Sequence, residues 1–195
     1  MSLISALANV HHQGQFGDFE DKKGDDLLKI SEKKNLLIVQ IVQFKNSVIP
    51  IENINIDGLK LKDSPLNVNF NENTRILWNG PKNWLLVSSK KDLINDITST
   101  CKEIDFAVTD LSHSRAIIDL EGNYVIEVLK KGSPFNFDVI KKNNSLNSIY
   151  NNIAFTVDFL NDKPFKVRLF TLRSFGESFY HSITDAALEF GYENK

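Results

Sequence analysis

The sequence is poor in cysteine, and this scarcity limits the chemistry available to the chain. Cys101 is the only cysteine in 195 residues. An intrachain disulfide, a cysteine-type zinc site and a CxxC redox pair are therefore all excluded. Because disulfides stabilise proteins mainly in oxidising compartments, the sequence predicts a reducing, cytoplasmic location.

Long hydrophobic runs and a strong excess of one charge are also missing. No apolar segment approaches the roughly 20 residues that a membrane helix needs, and the first residues lack the basic region of a signal peptide. The formal net charge is only -2, so electrostatics give no reason to expect nucleic acid as a partner. The sequence predicts a globular protein that binds neither membranes nor nucleic acid.

Glycine-rich phosphate loops and metal-binding histidine motifs are absent as well. The nine glycines form neither G-x-G-x-x-G nor a Walker loop, and the four histidines form no HExxH pattern. We therefore predict no metal site, and no cofactor loop can be recognised.

The first half of the chain alternates apolar runs with turn residues. Residues 35–44 suit a buried strand, and weak helical spacing through Ile51, Ile54 and Leu59 predicts a helix over 49–61. The turn-forming residues 79–83 predict a β-hairpin over 75–89. A helix follows, with an apolar face made of Leu93, Ile97, Cys101 and Ile104, before a strand at 106–111.

The second half repeats this order. In the predicted strand 115–122, Ala116, Ile118 and Leu120 share one face, and Arg115, Ile117, Asp119 and Glu121 share the other. A helix capped by Asn123 and ended by Gly132 follows, and then a hairpin over 153–173 that turns near 161–163. The last helix has a predicted capping box at Ser174 and Glu177, a C′ glycine at Gly191, and an apolar stripe formed by Phe175, Phe179, Ile183, Ala186 and Phe190.

The order of elements defines the predicted fold class. It reads β-α-β-β-α-β and then β-α-β-β-α, so each half resembles a split βαβ unit with helices on one face of a mostly antiparallel sheet. We predict an α+β protein made of two intimately packed, ferredoxin-like subdomains. An irregular lead-in at 1–26 precedes the first subdomain at 27–111 and the second at 112–195.

Reactive side chains crowd together at Asp110, Ser112, His113 and Arg115. In a strand, neighbouring side chains point to opposite faces, so Ser112 and His113 would diverge, whereas a nucleophile and its base must meet within about 3 Å. No G-x-S-x-G elbow surrounds Ser112. We expect Asp110 and Ser112 to bond the backbone at a strand junction, and we predict no catalytic residue in this chain.

Three further residues are candidates for binding a ligand or a partner chain. Trp78 and Trp84 flank the predicted hairpin turn, where tryptophans can stack on a ring, anchor an interface or fill the core. Arg173 precedes the last helix, where an arginine can hold an anionic group. The alternatives for Arg173 are an ion pair with a carboxylate such as Asp110 or Asp119, or a contact with a partner chain.

Several ordered motifs carry a family resemblance. The succession LWNGPKNWLLVS (77–88), TDLSHSRAIIDLEG (109–122), VLKKGSPFNFD (128–138) and RSFGESFYHSITDAALEFG (173–191) resembles the gamma subunit of heterotetrameric sarcosine oxidase. The resemblance extends over roughly residues 27–191. Lys82 and Asn83 replace the acidic residues usual after Gly-Pro, and Ser133 stands where a cysteine is common.

The resemblance implies a fold similar to aminomethyltransferase and YgfZ-like proteins, and a non-catalytic subunit that packs on the alpha chain. The implied partners are the alpha, beta and delta subunits of an enzyme that oxidises sarcosine to glycine. FAD, FMN, NAD and tetrahydrofolate would be held by the larger subunits and zinc by the smallest, with no cofactor in this chain.

Two other functions remain open at this stage. The first is a standalone one-carbon protein that binds tetrahydrofolate in a cavity, with Trp78, Trp84 or Arg173 as conceivable contacts. The second is a hydrolase that uses Ser112, which the strand geometry disfavours.

Overall fold

A computed structural model describes residues 4–24 and 26–195, which contain fourteen strands and three α-helices. The α-helices are α1 (Leu93–Thr100), α2 (Val125–Gly132) and α3 (Gly176–Ala187). The strands are β1 (Gly14–Phe16), β2 (Leu28–Glu32), β3 (Leu37–Gln43), β4 (Asn55–Ile56), β5 (Leu59–Lys60), β6 (Val68–Phe70), β7 (Thr74–Gly80), β8 (Asn83–Ser88), β9 (Phe106–Asp110), β10 (Arg115–Glu121), β11 (Ser145–Tyr150), β12 (Ile153–Asp162), β13 (Phe165–Leu172) and β14 (Tyr192–Asn194). None of these helices is long and apolar enough to cross a membrane.

The chain forms two compact units, whose limits differ from the predicted ones. Unit 1 comprises Met1–Lys34, Ser114–Lys142 and Asn147–Lys195, and unit 2 comprises Asn35–His113 and Asn143–Leu146. Each unit has its own mostly antiparallel sheet, which confirms the predicted α+β class. The predicted consecutive halves, 27–111 and 112–195, do not coincide with the units, because β2 pairs with β10 and β14 rather than with the strand that follows it.

Unit 2 is built on a five-stranded sheet in the order β6-β7-β8-β3-β9. Every pairing in it is antiparallel, and the predicted hairpin is confirmed as β7 and β8. One face of the sheet packs against α1, through which Leu93, Ile97 and Cys101 enter the core. Ile104 was predicted to share that face but is 84% exposed, because α1 ends at Thr100.

The prediction of a helix over 49–61 is wrong. Only a three-residue 3₁₀ turn forms there, at Ile51–Asn53, and the two-residue strands β4 and β5 follow it. Asp57 and Gly58 join these strands with φ values of +53° and +78°. An Asp-Gly pair with positive φ at both positions is a strong hairpin signal, and it outweighs weak apolar spacing.

Asp57 also fastens this small hairpin to the main sheet of unit 2. Its carboxylate accepts hydrogen bonds from Lys90 Nζ and Thr74 Oγ1, each at 2.6 Å. These bonds, led by the one from Lys90, lower the pKa of Asp57 from 3.8 to about 2. The ionised form is therefore favoured in the folded state, so its contribution to stability is complete above pH 3.8 and is lost as the pH falls towards about 2.

Asp57→Asn should lower the free energy of unfolding by about 1–2 kcal/mol at pH 7, because Lys90 is 43% exposed and solvent screens part of the interaction. Asn tolerates the left-handed backbone, so the substitution removes mainly the charge. Urea titrations between pH 7 and pH 2.5 should show the difference from the unsubstituted protein shrink below pH 4. The control is Glu72→Gln, at an exposed carboxylate. A difference that does not change with pH would contradict the assignment.

Unit 1 is built on a seven-stranded sheet in the order β1-β14-β2-β10-β13-β12-β11. Helices α2 and α3 pack against this sheet and against each other. The predicted facing of β10 is confirmed, because Ala116, Ile118 and Leu120 are buried on one side while Asp119 pairs with Arg168 on the other. The sheet thus has an apolar face and a charged face.

The N-terminal segment is part of unit 1 rather than an irregular lead-in. Leu7 is fully buried, and β1 pairs with β14 from the other end of the chain. His11 Nδ1 lies 3.1 Å from the Tyr180 hydroxyl, and Asn194 Nδ2 donates to the His12 carbonyl at 2.9 Å. These contacts are non-local and leave no periodic signal in the sequence.

The helices of unit 1 agree with their predicted positions but not with their predicted caps. The side chain of Tyr124, which precedes α2, makes no capping hydrogen bond, and neither Asn123 nor Ser174 caps a helix. Gly191 is confirmed as a left-handed terminator with φ +66°. Phe175 lies outside α3 and is 48% exposed, whereas Phe179, Ile183 and Ala186 are buried as predicted.

Gly132 is required by close packing rather than by its backbone conformation. A Cβ added there would lie 2.4 Å from Cε1 of Tyr150. The Tyr150 ring is fully buried, and its hydroxyl donates to the Val128 carbonyl at 2.9 Å, so the ring has little freedom to move.

Gly132→Ala should therefore lower the free energy of unfolding by about 1–3 kcal/mol, the usual cost of overpacking a core. In an open helix the same change would stabilise by roughly 1 kcal/mol. Gly24→Ala is the matched control, because a Cβ there meets nothing within 4 Å. Chemical denaturation of both variants checks the prediction, and a more stable Gly132→Ala protein would contradict it.

Candidate functional site

The side chains of Asp110 and Ser112 bond to each other and to the backbone. Asp110 Oδ1 accepts from the Ser112 backbone N–H at 2.8 Å and from Ser112 Oγ at 2.6 Å. Ser112 Oγ in turn accepts from the Ile38 N–H at 3.0 Å. The Ser112 hydrogen bonds lower the pKa of Asp110 and keep it ionised. The predicted backbone role of this pair is confirmed, with β3 as the element it holds.

The other members of the cluster do not complete a catalytic arrangement. Within the described residues, Ser112 has no hydrogen bond to His113, whose charge merely favours the ionised form of Asp110. Arg115 points to Ser114 instead, with Nη1 at 3.2 Å from Ser114 Oγ and 3.4 Å from the Ser114 carbonyl. A serine nucleophile needs an adjacent base, so this geometry gives no support to hydrolysis by Ser112.

Ser112→Ala should lower the free energy of unfolding by about 1–2 kcal/mol, because it leaves the Ile38 N–H and the Asp110 carboxylate without their hydroxyl partner. Ser182→Ala is the control, since that exposed hydroxyl donates to the Ser178 carbonyl in the preceding turn of its own helix. Thermal unfolding of both variants measures the effect, and equal melting temperatures would argue against a structural role for Ser112.

The two tryptophans are paired across β7 and β8 but have different surroundings. Trp84 is 1% exposed and belongs to the core of unit 2, and its Nε1 donates to the Lys62 carbonyl at 2.9 Å. Trp78 is partly exposed, and its Nε1 donates to Asp63 Oδ1 at 2.8 Å. Asp63 also accepts from the Lys82 N–H at 3.2 Å and so holds the hairpin turn. The geometry favours a core role for Trp84.

One alternative from the sequence was an ion pair between Arg173 and Asp110 or Asp119. Arg173 forms neither pair. Its Nη2 donates to the carbonyl oxygen of Ile4, while Asp119 binds Arg168. The backbone N–H of Arg173 donates to the Ser114 carbonyl at 2.8 Å, which extends the pairing of β10 and β13 by one step. Arg173 thus emerges at the surface where these two central strands of unit 1 end.

Exposed apolar residues adjoin Arg173, because Leu172 precedes it, Phe175 stands two residues after it, and the Ile4 carbonyl accepts its hydrogen bond. Leu172 is 44% exposed, Phe175 is 48% exposed and Ile4 is 74% exposed. Arg115 lies directly across from Leu172 in the sheet, so their side chains share one face. We call this group of five residues the Arg173 surface: Ile4, Arg115, Leu172, Arg173 and Phe175.

Sequence reasoning missed a row of charges across the centre of the unit 1 sheet. Asp119, Arg168 and Asp158 face one another on β10, β13 and β12, and the Arg168 guanidinium binds Asp119 at 2.7 and 2.9 Å. Asp119 is 3% exposed and Asp158 is 1% exposed. The sequence contains a signal for this row of charges. The alternation of β10 places Asp119 on the face opposite the apolar one, and β12 and β13 each have a charged residue within an apolar run.

A cavity of about 400 Å³ lies on the charged side of unit 1. It is lined by three carboxylates and four lysines whose charges largely cancel: Glu32, Asp119, Glu121, Lys29, Lys33, Lys166 and Lys195. A further cavity, of about 660 Å³, lies beside the hairpin tip at Lys163 and Pro164. Over residues 4–24 and 26–195, no three His, Cys, Asp or Glu side chains are grouped so that they could hold a metal ion.

The fold is that of the aminomethyltransferases. Aminomethyltransferase T of the glycine cleavage system from Bartonella henselae is similar with a TM-score of 0.55 over 82% of this chain, at 7% sequence identity. The chain spans 46% of that protein's length. This likeness confirms the predicted fold class.

A stronger structural likeness is to a chain of heterotetrameric sarcosine oxidase from Corynebacterium sp. U-96, in complex with pyrrole 2-carboxylate. The TM-score is 0.82, and the alignment covers 97% of both chains at 20% identity. The fold is therefore shared from end to end. No family model and no curated protein matches the sequence.

Proposed function

We propose that this chain is the gamma-type, non-catalytic subunit of a heterotetrameric sarcosine oxidase, and that it supports oxidative demethylation of sarcosine to glycine by packing on the alpha chain. The observation that carries the proposal is the end-to-end likeness to one chain of such an enzyme, at 97% coverage on both sides. A chain that matches a subunit over its full length can occupy the same position in an assembly.

The arrangement of the chain's own side chains supports a structural role. The most reactive-looking group, Ser112, is occupied by the Ile38 N–H and by Asp110. The single thiol, Cys101, is buried, and burial raises its pKa to about 11, so it is a poor nucleophile. Neither residue is poised for catalysis.

In the proposed assembly, the alpha, beta and delta chains are the partners, and the complex works in the cytoplasm. FAD, FMN, NAD and tetrahydrofolate are assigned to the larger chains and zinc to the smallest, and none is assigned to this chain. The role of this subunit is to stabilise the alpha chain in its assembled form.

Deletion of this chain from its native cell tests the proposal. Sarcosine-dependent oxygen uptake in extracts should fall, and re-expression of the chain should restore it. At an equal amount of folded chain, Ser112→Ala should restore it equally well, because the Ser112 hydroxyl binds the backbone and Asp110 rather than a substrate. Uptake that is unchanged by the deletion would refute the proposal, and rescue that required Ser112 at an equal amount of folded chain would refute the non-catalytic role.

Calorimetric titration with tetrahydrofolate separates this proposal from a standalone folate-binding protein. We expect no heat of binding to the isolated chain at ligand concentrations in the high micromolar range. Saturable heat with one ligand per chain would favour the folate-binding function instead.

A further inference from the structure

The Arg173 surface contains a guanidinium that burial disfavours. Arg115 is half-buried, and within residues 4–24 and 26–195 its side chain donates hydrogen bonds to Ser114. Burial lowers the pKa of the Arg115 guanidinium below its usual value, because a desolvated cation without a nearby carboxylate is disfavoured. Among the described residues, no salt bridge to Arg115 forms. Contact with an external carboxylate would offset this cost.

A second guanidinium on this surface is also only partly used. A guanidinium has five N–H donors, and Arg173 commits one nitrogen to the Ile4 carbonyl. Within residues 4–24 and 26–195, Arg173 has no carboxylate partner. Its remaining donors are therefore available for the bidentate binding of an acid, the geometry that arginine favours.

Two carboxylates that contact the N-terminal segment, Glu32 and Glu177, are engaged with other partners. Glu32 accepts from Ser5 Oγ and lies 3.1 Å from Lys34 Nζ. Glu177, in the first turn of α3, accepts from Asn9 Nδ2 at 3.0 Å. Neither carboxylate forms a salt bridge with Arg115 or Arg173 in the part of the chain that the structure describes, so the Arg173 surface carries two positive charges that these acids do not pair with.

The residues around these charges are of the types found at the centre of protein–protein interfaces. Leu172 and Phe175 are each exposed by more than 40% and flank Arg173 in the sequence. Arginine and aromatic residues are enriched among the few residues that carry most of the binding energy in protein complexes. An apolar contact around a charge also excludes water and strengthens the charge's interactions.

We propose that the Arg173 surface is the docking site for the larger partner chain, which presents carboxylate side chains to Arg115 and Arg173 and apolar side chains to Leu172 and Phe175. This inference rests on the proposed function and adds to it the surface and the chemistry of the contact. Charge complementarity selects an acidic and apolar patch on the partner.

The test measures the affinity of this chain for the larger chains by biolayer interferometry, using Arg173→Glu and Phe175→Ala. Each should weaken binding by about 30-fold or more, the effect of losing a central interface residue. Lys163→Glu is the matched control, an equal change of charge at an exposed lysine beside the hairpin tip, and should bind like the unsubstituted chain. Circular dichroism verifies folding, and Phe175→Ala leaves the Ile4 contact of Arg173 intact.

The possible results separate failure of the proposed docking site from failure of the proposed function. If the unsubstituted chain binds the larger chains and both variants bind equally well, this surface is not the docking site, although the proposed function stands. If the unsubstituted chain does not bind them at all, the proposed function itself fails. If the isolated chain dimerises and Arg173→Glu makes it monomeric, a second copy occupies the surface and the proposed occupant is wrong.

Discussion

Arg168→Met is expected to lower the free energy of unfolding by about 3–5 kcal/mol, because removing one partner of a buried ion pair leaves the other charge poorly compensated. Lys33 Nζ also lies 3.9 Å from Asp119 Oδ2, but its side chain is 40% exposed and makes a weaker partner than Arg168. Arg168 is 17% exposed at its side chain and lies between two carboxylates that are almost fully buried, Asp119 and Asp158. Methionine fills a similar volume but satisfies neither acid. Urea denaturation at pH 7 measures the loss.

Lys166→Met is the matched control for this variant. Lys166 stands two residues earlier on β13 and binds Glu121 at 2.6 Å, but both side chains are about one-third exposed. A solvent-exposed ion pair contributes at most about 1 kcal/mol, so this variant should be nearly as stable as the unsubstituted protein. Equal losses for the two variants would contradict the idea that burial makes the Arg168 pair critical.

Trp84→Ala should cost about 3–5 kcal/mol of unfolding free energy, the usual range for truncating a buried tryptophan. The side chain is 1% exposed and lies in the core of unit 2. Its loss also removes the donor to the Lys62 carbonyl. Guanidinium denaturation of the variant checks the prediction.

Trp78→Ala is the matched control for Trp84→Ala, because it removes a tryptophan that lies outside the core. Trp78 is partly exposed and has the hydrogen bond to Asp63 as its main polar contact. We expect about 1–2 kcal/mol, the cost of that bond and of partial burial. If Trp78→Ala proved the more damaging of the two, the assignment of Trp84 as the core residue would be wrong.

Local patterns predicted those parts of the fold that depend on neighbours in sequence. Alternation along β10 placed Ala116 and Asp119 on opposite faces, as observed. The cluster of turn residues at 79–83 predicted the hairpin between β7 and β8, since such residues favour tight turns whatever surrounds them.

The predictions differ from the structure where a helix ends or where contacts between distant residues form an element. Ile104 and Phe175 fit a helical period, but α1 ends before the first and α3 begins after the second. The N-terminal strand β1 exists because β14 pairs with it, and their residues are separated by most of the chain. No local pattern can indicate such a pairing.

The candidate site was only partly accessible to sequence reasoning for the same reason. Arg173 was identified by its place before a helix, but its bond to Ile4 joins the two ends of the chain. The sequence placed Arg115 in a cluster of reactive side chains. In the structure it lies opposite Leu172, on the neighbouring strand, and so becomes part of the Arg173 surface. Register between strands, which the sequence does not specify, brought these residues together.

The proposed function makes this chain a stoichiometric subunit of a larger oxidase. Co-expression with the alpha, beta and delta chains, followed by size-exclusion chromatography with light scattering, measures whether it is one. We expect a single flavin-absorbing peak whose mass includes one copy of this 22.2 kDa chain. Elution of this chain by itself, with a flavin-containing complex of the other three in a separate peak, would show that it is not a subunit of that enzyme.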